Sequence, residues 1–180
     1  MPNEKFSLWK SQDPVAYKYR WMPITQSKRL GFSFSRDGCR TPIQWTAGSN
    51  AGFSSNPAAT PWLKISKSYT IINVETQEKD SNSLLNFYRR LLKVRRENIA
   101  LQEGILQLEP PTKQSLIYYR LTPKQKLAIL LNFSNKVLII PAPLENPTLL
   151  FSTHLESQAL DQAPSTTNIQ LQAYEGVILE

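Results

Sequence analysis

Apolar residues recur at two different periods along this chain, and the change of period divides it. Over residues 82–97 they follow helical spacing, so we predict a helix, Asn82–Glu97, capped by Asp80 or Ser81. The apolar stripe of this helix consists of Leu84, Tyr88, Leu91 and Leu92, widened by Phe87 and Val94. Such a stripe is typical of a helix that packs on a core.

From Gly104 onward the spacing becomes that of short strands. Seven apolar segments between turn residues are predicted as strands: Ile105–Leu108, Leu116–Leu121, Leu127–Asn132, Val137–Ile140, Thr148–Ser152, Ile169–Leu171 and Gly176–Leu179. The continuous run Leu127–Leu131 predicts a strand that is buried on both faces. The fold class predicted is therefore mainly β, with an antiparallel β-sandwich that follows a domain boundary near Glu97–Gly104.

Two segments with no regular period precede the helix. Residues 33–80 are rich in turn sequences such as Asp37-Gly38 and Asn56-Pro57. The same segment contains four aromatic residues, Trp45, Phe53, Trp62 and Tyr69. A free loop has no need of them, so we expect a long loop that packs against something large. Residues 1–32 interleave basic and aromatic side chains and are left unassigned.

Composition narrows the class of protein without naming a function. Hydrophobic residues make up 41% of the 180, which is enough for a packed core. No stretch approaches the roughly 20 apolar residues that span a bilayer, so no membrane association is expected. The single cysteine, Cys39, excludes an internal disulfide framework. With no apolar segment near Met1, these features favour a cytoplasmic protein.

The net charge of +7 raises the question of a nucleic-acid partner. Basic residues are concentrated in residues 1–40 and on the predicted helix, at Arg89, Arg90, Lys93, Arg95 and Arg96. The aromatic and basic residues of segment 1–32 could stack on single-stranded nucleic acid. That segment could equally be one that has lost its packing partner. No recognised nucleic-acid motif accompanies the charge, so we favour a solvated helix face and do not expect nucleic acid to bind.

Candidate reactive residues are few and isolated. Asp37 lies between Arg36 and Arg40, an arrangement that favours a structural ion pair over a general acid. Cys39 is interpreted as a packed thiol. The one histidine, His154, has no triad partner and no companions at metal-ligand spacing, so it is interpreted as a loop residue. We expect no cofactor, no metal site and no complete active site in the chain.

The string Ser35-Arg-Asp-Gly-Cys-Arg-Thr-Pro-Ile-Gln-Trp45 resembles a known family motif. It is similar to the Arg-Asp-x-x-Arg-Thr-Pro-Met-Gln-Trp stretch of the α-glucosidase, oligo-1,6-glucosidase and trehalose-synthase branch of glycoside hydrolase family 13, the α-amylase superfamily. Later segments stand in the order of that family: 50–53, 61–63, 72–75, 80–83, 92–96, 128–133 and 174–176. This sequence departs from the family pattern at two positions: Ile43 replaces the usual Met, and Thr46 replaces the usual Asp after Trp45.

The resemblance implies a domain division. Residues 33–100 would be the C-terminal end of a (β/α)8 catalytic barrel, comprising a loop and the last helix, and residues 101–180 would be the C-terminal β-sandwich. In that family an aspartate nucleophile, a glutamate acid/base and a third aspartate lie upstream of the loop, so no catalytic residue is expected here. By motif position, Arg36 and Arg40 would border the sugar pocket as substrate-binding residues. Arg40 would mainly brace the loop, and Trp45 would serve packing.

The expected function is that of a C-terminal fragment of a retaining α-glucosidase acting on maltose- or isomaltose-type oligosaccharides. Without the nucleophile and the acid/base it should be inactive alone, and an α-linked gluco-oligosaccharide should bind only if the missing barrel is supplied. The alternative is a stand-alone β-sandwich module that binds carbohydrate or protein. A helix shaped to pack on a barrel would expose its apolar face, so self-association through that face is expected.

Overall fold

The computed structural model describes Trp9 and residues 11–21, 35–156 and 168–180. The chain forms two compact units, residues 1–81 and 82–180. The second unit begins before the long helix and so includes it. The domain boundary near Glu97–Gly104, like the assignment of residues 1–32, stays a prediction.

The described part of the first unit consists of short helices joined by loops. Helix α1 is Pro14–Lys18 and helix α2 is Val74–Lys79. Between them lie 3₁₀ turns at Asp37–Cys39, Ser49–Gly52 and Lys67–Thr70. The side chains of Asp13 and Asn73 accept hydrogen bonds from Val15 N (2.9 Å) and Thr76 N (2.9 Å), so each helix begins at a side-chain cap.

The second unit begins with helix α3, Leu84–Glu97, followed by helix α4, Ile99–Glu103. Ser83 caps α3 by accepting from Asn86 N at 3.2 Å, which corrects the predicted cap at Asp80 or Ser81. The serine nearest the helix reaches the third amide of the first turn, and the helix therefore begins two residues later than predicted.

Seven antiparallel strands follow, each within one residue of its predicted bounds. They are β1 Ile105–Leu108, β2 Ser115–Leu121, β3 Lys126–Asn132, β4 Leu138–Pro141, β5 Leu149–Ser152, β6 Asn168–Leu171 and β7 Gly176–Leu179. One sheet has the order β1-β2-β3-β7-β5, and β4 pairs with β6 in a second sheet. The register places Leu130 opposite Val177 and Ile140 opposite Ile169.

Strand β3 lies at the centre of the core and contributes to both faces of the large sheet. Ala128 and Leu130 pack against the two-stranded sheet, in a cluster with Ile140, Ile169 and Leu171. The alternate residues Leu127 and Ile129 pack on the opposite face, against Ala100 of α4 and Phe87, Leu91 and Val94 of α3. The predicted burial of β3 on both faces is thus confirmed.

The mainly β prediction needs correction. Among the described residues, the α-helices and 3₁₀ turns together hold more residues than the strands, because three short helices and three 3₁₀ turns were not predicted. Helices also cover one face of the large sheet. The antiparallel pairing and the contact of two sheets agree with the prediction. No helix within the described ranges is long and apolar enough to cross a membrane.

Candidate substrate-facing loop

The loop that carries the family motif is tied to helix α1 by an ion pair. Arg36 Nε donates to Asp13 Oδ2 at 2.7 Å and Arg36 Nη2 donates to Asp13 Oδ1 at 3.4 Å. The backbone N–H of Arg36 also donates to Asp13 Oδ2, at 3.1 Å. Two-point contact with a carboxylate orients the guanidinium as well as binding it. Arg36 is therefore a brace of the loop.

Asp13 is fully buried and has two structural tasks. It caps α1 through Val15 N and it holds Arg36. The hydrogen bond from the Arg36 side chain, helped by the backbone N–H groups of Val15 and Arg36, holds the pKa of Asp13 well below its usual range, although burial opposes this. The same contact raises the pKa of the Arg36 guanidinium. Asp13 therefore stays ionised and has no role as a proton donor.

Asp37 does not form the ion pair predicted for it. Its Oδ2 accepts hydrogen bonds from Ser11 Oγ at 2.6 Å and from Gln12 N at 3.1 Å. Asp37 is buried, and its Oδ1 has no hydrogen-bond partner within the described part of the chain. The carboxylate that binds Arg36 is that of Asp13, which lies 23 residues earlier. Asp37 instead anchors the segment that leads into α1.

Arg40 differs from Arg36 in its surroundings. Its backbone N–H closes the 3₁₀ turn by donating to Asp37 O at 3.1 Å, while the residue as a whole is exposed. Arg36 keeps 59% of its side chain accessible, and its Nε and Nη2 groups donate to Asp13. The described contacts that brace this loop are those of Arg36, whereas the resemblance implied Arg40 for that role.

After Trp45 the chain makes a tight turn through three consecutive residues with positive φ. Asn50, Ala51 and Gly52 have φ of 52°, 54° and 67°. The carbonyl oxygen of Ala51 accepts from Trp45 N at 2.8 Å, which closes the turn. A Cβ on Gly52 would lie 2.8 Å from Thr46 Oγ1, so this position requires glycine on both counts.

Thr46, which stands where the family motif has Asp, stabilises the turn with its side chain. Its Oγ1 accepts from Gly48 N at 3.1 Å, the contact that an aspartate makes when it stabilises a turn. A threonine at this position supplies the acceptor without a negative charge.

Helix α2 is joined to the same loop by backbone hydrogen bonds. Val74 N donates to Gln44 O at 2.9 Å, and Glu75 N donates to Trp45 O at 3.0 Å. The first amides of a helix have no partner within the helix, so these carbonyls satisfy them. The motif and the segment 66–79 thus form one ordered element. Trp45, Phe53 and Trp62 remain about half exposed or more on it, so the predicted packing of this loop stays a prediction.

The other candidate residues lie apart from this loop or form no site. Cys39 is exposed, which corrects its interpretation as a packed thiol. His154 follows β5, and its Nδ1 lies 3.1 Å from Thr153 Oγ1. Within the described ranges no group of three or more His, Cys, Asp or Glu side chains could hold a metal ion.

The residue that sequence reasoning missed is Asp13. A signal for it was present, because Asp followed by Pro is a common start of a helix, with Asp as the cap and Pro as the first helical residue. What the local pattern could not show is that the same carboxylate binds Arg36.

The pairing of Asp13 with Arg36 predicts a pH dependence. A carboxyl whose folded pKa is depressed contributes stability above its unfolded pKa, near 4, and that stability is lost as the pH falls toward the folded value. All four tryptophans lie in residues 1–81, so tryptophan fluorescence reports on this unit. We expect Asp13→Asn to lower the denaturation midpoint at pH 7, with the difference from wild type shrinking below about pH 4.

Glu75→Gln is the control for this measurement, because it removes an exposed carboxylate that pairs with Lys79. Exposed pairs contribute little, so its midpoint should stay near that of the wild type. A difference between wild type and Asp13→Asn that persists unchanged into acid would show that the charge of Asp13 is not what stabilises the loop.

Comparison with known proteins shows which family these features resemble. The model of the alpha-amylase catalytic domain matches residues 16–104, which include the end of helix α1, the motif loop and helix α3. This match begins inside the unassigned segment 1–32. The chain is a relative of the α-glucosidases of glycoside hydrolase family 13, the α-amylase superfamily.

Individual proteins with similar sequences include oligo-1,6-glucosidases. A probable oligo-1,6-glucosidase 2 of Bacillus subtilis is 40% identical over 110 residues, which is 61% of this chain and 19% of the relative. The oligo-1,6-glucosidase of Halalkalibacterium halodurans is 32% identical over 145 residues, covering 78% of this chain and 25% of the relative. The chain thus spans a quarter or less of the length of these two relatives.

Solved structures of similar fold come from the same superfamily. The trehalulose synthase MutB of Pseudomonas mesoacidophila MX-45 matches with a TM-score of 0.76 and 26% identity over 98% of this chain and 32% of MutB. The isomaltulose synthase PalI of Klebsiella sp. LX3 matches with a TM-score of 0.73 and 25% identity over 99% of this chain and 32% of PalI.

Proposed function

We propose that these residues act as the C-terminal portion of an α-glucosidase-like glycosidase, one that hydrolyses α-glucosidic bonds of maltose- or isomaltose-type oligosaccharides with retention. The observation that carries the proposal is the motif Ser35–Trp45, folded as an ordered loop, in a chain 40% identical to a probable oligo-1,6-glucosidase over 110 residues. The β segment 101–180 takes the place of the C-terminal sandwich of such an enzyme.

The chemistry of retention requires a pair of carboxylates that the described residues do not offer. A retaining glycosidase needs a nucleophile and an acid/base about 5 Å apart in a cleft. The buried carboxylates of the described chain are Asp13, Asp37 and Glu175. Asp13 is bound by Arg36, Asp37 accepts from Ser11 and Gln12, and Glu175 accepts from Ser152 and Gln172. Each serves the fold, so in our proposal the 180 residues alone do not hydrolyse glycosides.

The part of the loop assigned to substrate is Arg40. Arg36 and Arg40 are both proposed to border the sugar pocket, with different tasks. Arg36 positions the loop through Asp13, and Arg40 presents its guanidinium to sugar hydroxyls. Thr46 retains the turn beside them without the carboxylate.

The alternative, a stand-alone carbohydrate- or protein-binding module, is not favoured by the comparisons. The relatives are whole glycosidases, and the match to the alpha-amylase catalytic domain covers residues before the β segment. Large exposed aromatics of the described β segment are Phe133 and Tyr174, which lie in turns outside the strands.

We further propose that the chain self-associates through helix α3. The predicted stripe divides into two faces in the structure. Phe87, Leu91 and Val94 pack on the large sheet, whereas Leu84, Tyr88 and Leu92 are 65%, 52% and 59% exposed. The exposed three recur at intervals of four residues and so form one continuous apolar strip. Contiguous apolar surface of this kind favours association.

An assay of the purified 180-residue chain tests the proposed lack of activity. With p-nitrophenyl α-D-glucopyranoside as substrate, we expect release of nitrophenol at the rate of the buffer blank. Turnover that survives further purification and is lost in Asp37→Asn would contradict the proposal, because it would place a catalytic carboxylate within these residues.

A further inference from the structure

Strand β1 forms one edge of the five-stranded sheet and leaves an apolar side open. All four of its residues are exposed, and Ile105, Leu106 and Leu108 are 75%, 52% and 60% accessible. The strand contains no charged residue, no proline and no bulge, which are the features that commonly keep sheet edges apart. The opposite edge, β5, has a register shift between Leu149 and Phe151. Strand β1 is therefore the edge of this sheet that another strand can join.

The hydrogen bonds to β2 determine which backbone groups of β1 are free. Glu109 N donates to Ile117 O at 3.0 Å, so these two residues are a hydrogen-bonded pair of the antiparallel ladder. Such pairs alternate with pairs whose N–H and C=O groups point away from each other. Leu106 and Leu108 belong to pairs of the second kind, so their N–H and C=O groups point away from β2. In the described part of the chain no strand pairs with them on that side.

A second copy of β1 matches these free groups in one antiparallel register. When the pair is centred on Gln107, Leu106 of each copy lies opposite Leu108 of the other, and each of these two pairs exchanges two hydrogen bonds. A register centred on Leu106 would need the N–H of Gly104, which already donates to a carbonyl of helix α4 at 3.0 Å. A register centred on Leu108 would need an N–H at Pro110, which has none. The strand is thus complementary to itself about Gln107.

The side chains of β1 also fit this register. Residues that lie opposite each other point to the same face, so Leu106 and Leu108 of both copies would form one cluster of four leucines. Ile105 would lie opposite Glu109 of the other copy. The two Glu109 residues would be four strand positions apart, about 13 Å, so their repulsion is largely screened at physiological salt. Neither packing nor charge therefore opposes the pairing.

We propose that β1 is a pairing edge for a second copy of this chain, in the antiparallel register centred on Gln107. The five-stranded sheets of the two copies then form one continuous sheet. The contact comprises a strand of four residues on each side, against roughly 20–30 residues in a stable interface, so pairing is expected at about millimolar concentration. It uses no residue of helix α3 and is therefore separate from the self-association proposed above and from the proposed glycosidase function.

Amide hydrogen exchange, measured by NMR at about 0.05 mM and about 2 mM chain, tests the pairing. The full chain carries Leu84→Ser and Leu92→Ser in this experiment, so that association through helix α3 does not contribute. Because the free N–H groups become bonded in the pair, we expect the Leu106 and Leu108 amides to exchange about twofold more slowly at the higher concentration. The amide of Lys113, an exposed residue in the turn before β2, is the control and should exchange equally at both concentrations.

Two lysine substitutions on β1 test the register, with the Leu106 amide as the reporter. Leu108→Lys places a charge in the leucine cluster and should abolish the concentration dependence. Ile105→Lys adds the same charge to the same strand but opposite Glu109 of the other copy, so it should retain or strengthen the dependence. The proposal is overturned if exchange in the unsubstituted strand is independent of concentration, or if both lysine variants lose the dependence equally. Unchanged chemical shifts of β3 show that each variant is folded.

Discussion

Replacing Glu175 by alanine is expected to destabilise the unit formed by residues 82–180 by about 3 kcal/mol. Glu175 is almost fully buried, and its two oxygens accept from Ser152 Oγ and Gln172 N, each at 2.7 Å. Alanine would leave both donors, which belong to the half-buried residues Ser152 and Gln172, without this acceptor. Each buried donor left in this way costs about 1–3 kcal/mol.

The position of Glu175 increases this effect. Its backbone oxygen accepts from Asn132 N at 2.8 Å, so it joins the end of β3 to the turn before β7. Tyr174, next to it, has a φ of 58°, a conformation that persists only when its surroundings hold it. Losing the side chain of Glu175 therefore loosens a turn that is already under strain.

Hydrogen exchange of the β3 and β7 amides is the measurement, because it reports the opening free energy of this unit separately from residues 1–81. Glu145→Ala, an exposed glutamate of the same unit, is the control and should change protection by less than about 0.5 kcal/mol. Equal protection in the Glu175→Ala and Glu145→Ala variants would show that the buried carboxylate is not an anchor of the sheet.

The second large effect is expected on self-association. The double variant Leu84→Ser/Leu92→Ser removes two of the three apolar side chains of the exposed strip of α3. Burial of each leucine contributes about 1.5–3 kcal/mol, so their loss should weaken association at least about 100-fold. In sedimentation velocity, the wild type should show a sedimentation coefficient that rises with protein concentration, and the double variant should not.

The charge of helix α3 also predicts how self-association depends on salt. Helix α3 carries one acidic residue, Glu97, and five basic residues: Arg89, Arg90, Lys93, Arg95 and Arg96. Two copies repel each other through these charges, so association of the wild type should strengthen with salt. Ile139→Ser is the control, because it removes an exposed apolar residue of β4 away from the strip. A wild-type chain that stays monomeric at all concentrations, in low and in high salt, would contradict the self-association.

The elements that the sequence predicted are those whose apolar pattern runs long enough to show a period or is bounded by clear turn residues. The seven strands were found within one residue because apolar segments alternate with clear turn residues, and because β3 is apolar on both faces. Helix α3 was found because fourteen residues provide nearly four turns of periodicity. Helices α1, α2 and α4 have five or six residues each, too few for a period to emerge.

The candidate site was less predictable, because its contacts join distant parts of the chain. Local spacing placed Asp37 between two arginines, but Arg36 turns to Asp13, which lies 23 residues away. The turn after Trp45 places Ala51 at a positive φ, which no sequence pattern indicates for alanine. The single stripe predicted on α3 divides into a buried and an exposed face because the large sheet contacts only one side of the helix.

The central claim, that these residues can complete an α-glucosidase, is tested most directly in a chimera. The 110 residues that align with the probable oligo-1,6-glucosidase 2 of Bacillus subtilis would replace their counterparts in that protein. We predict that the chimera hydrolyses p-nitrophenyl α-D-glucopyranoside within about tenfold of the parent rate. A chimera that folds with the circular dichroism and thermal transition of the parent, yet shows no turnover, would contradict the account.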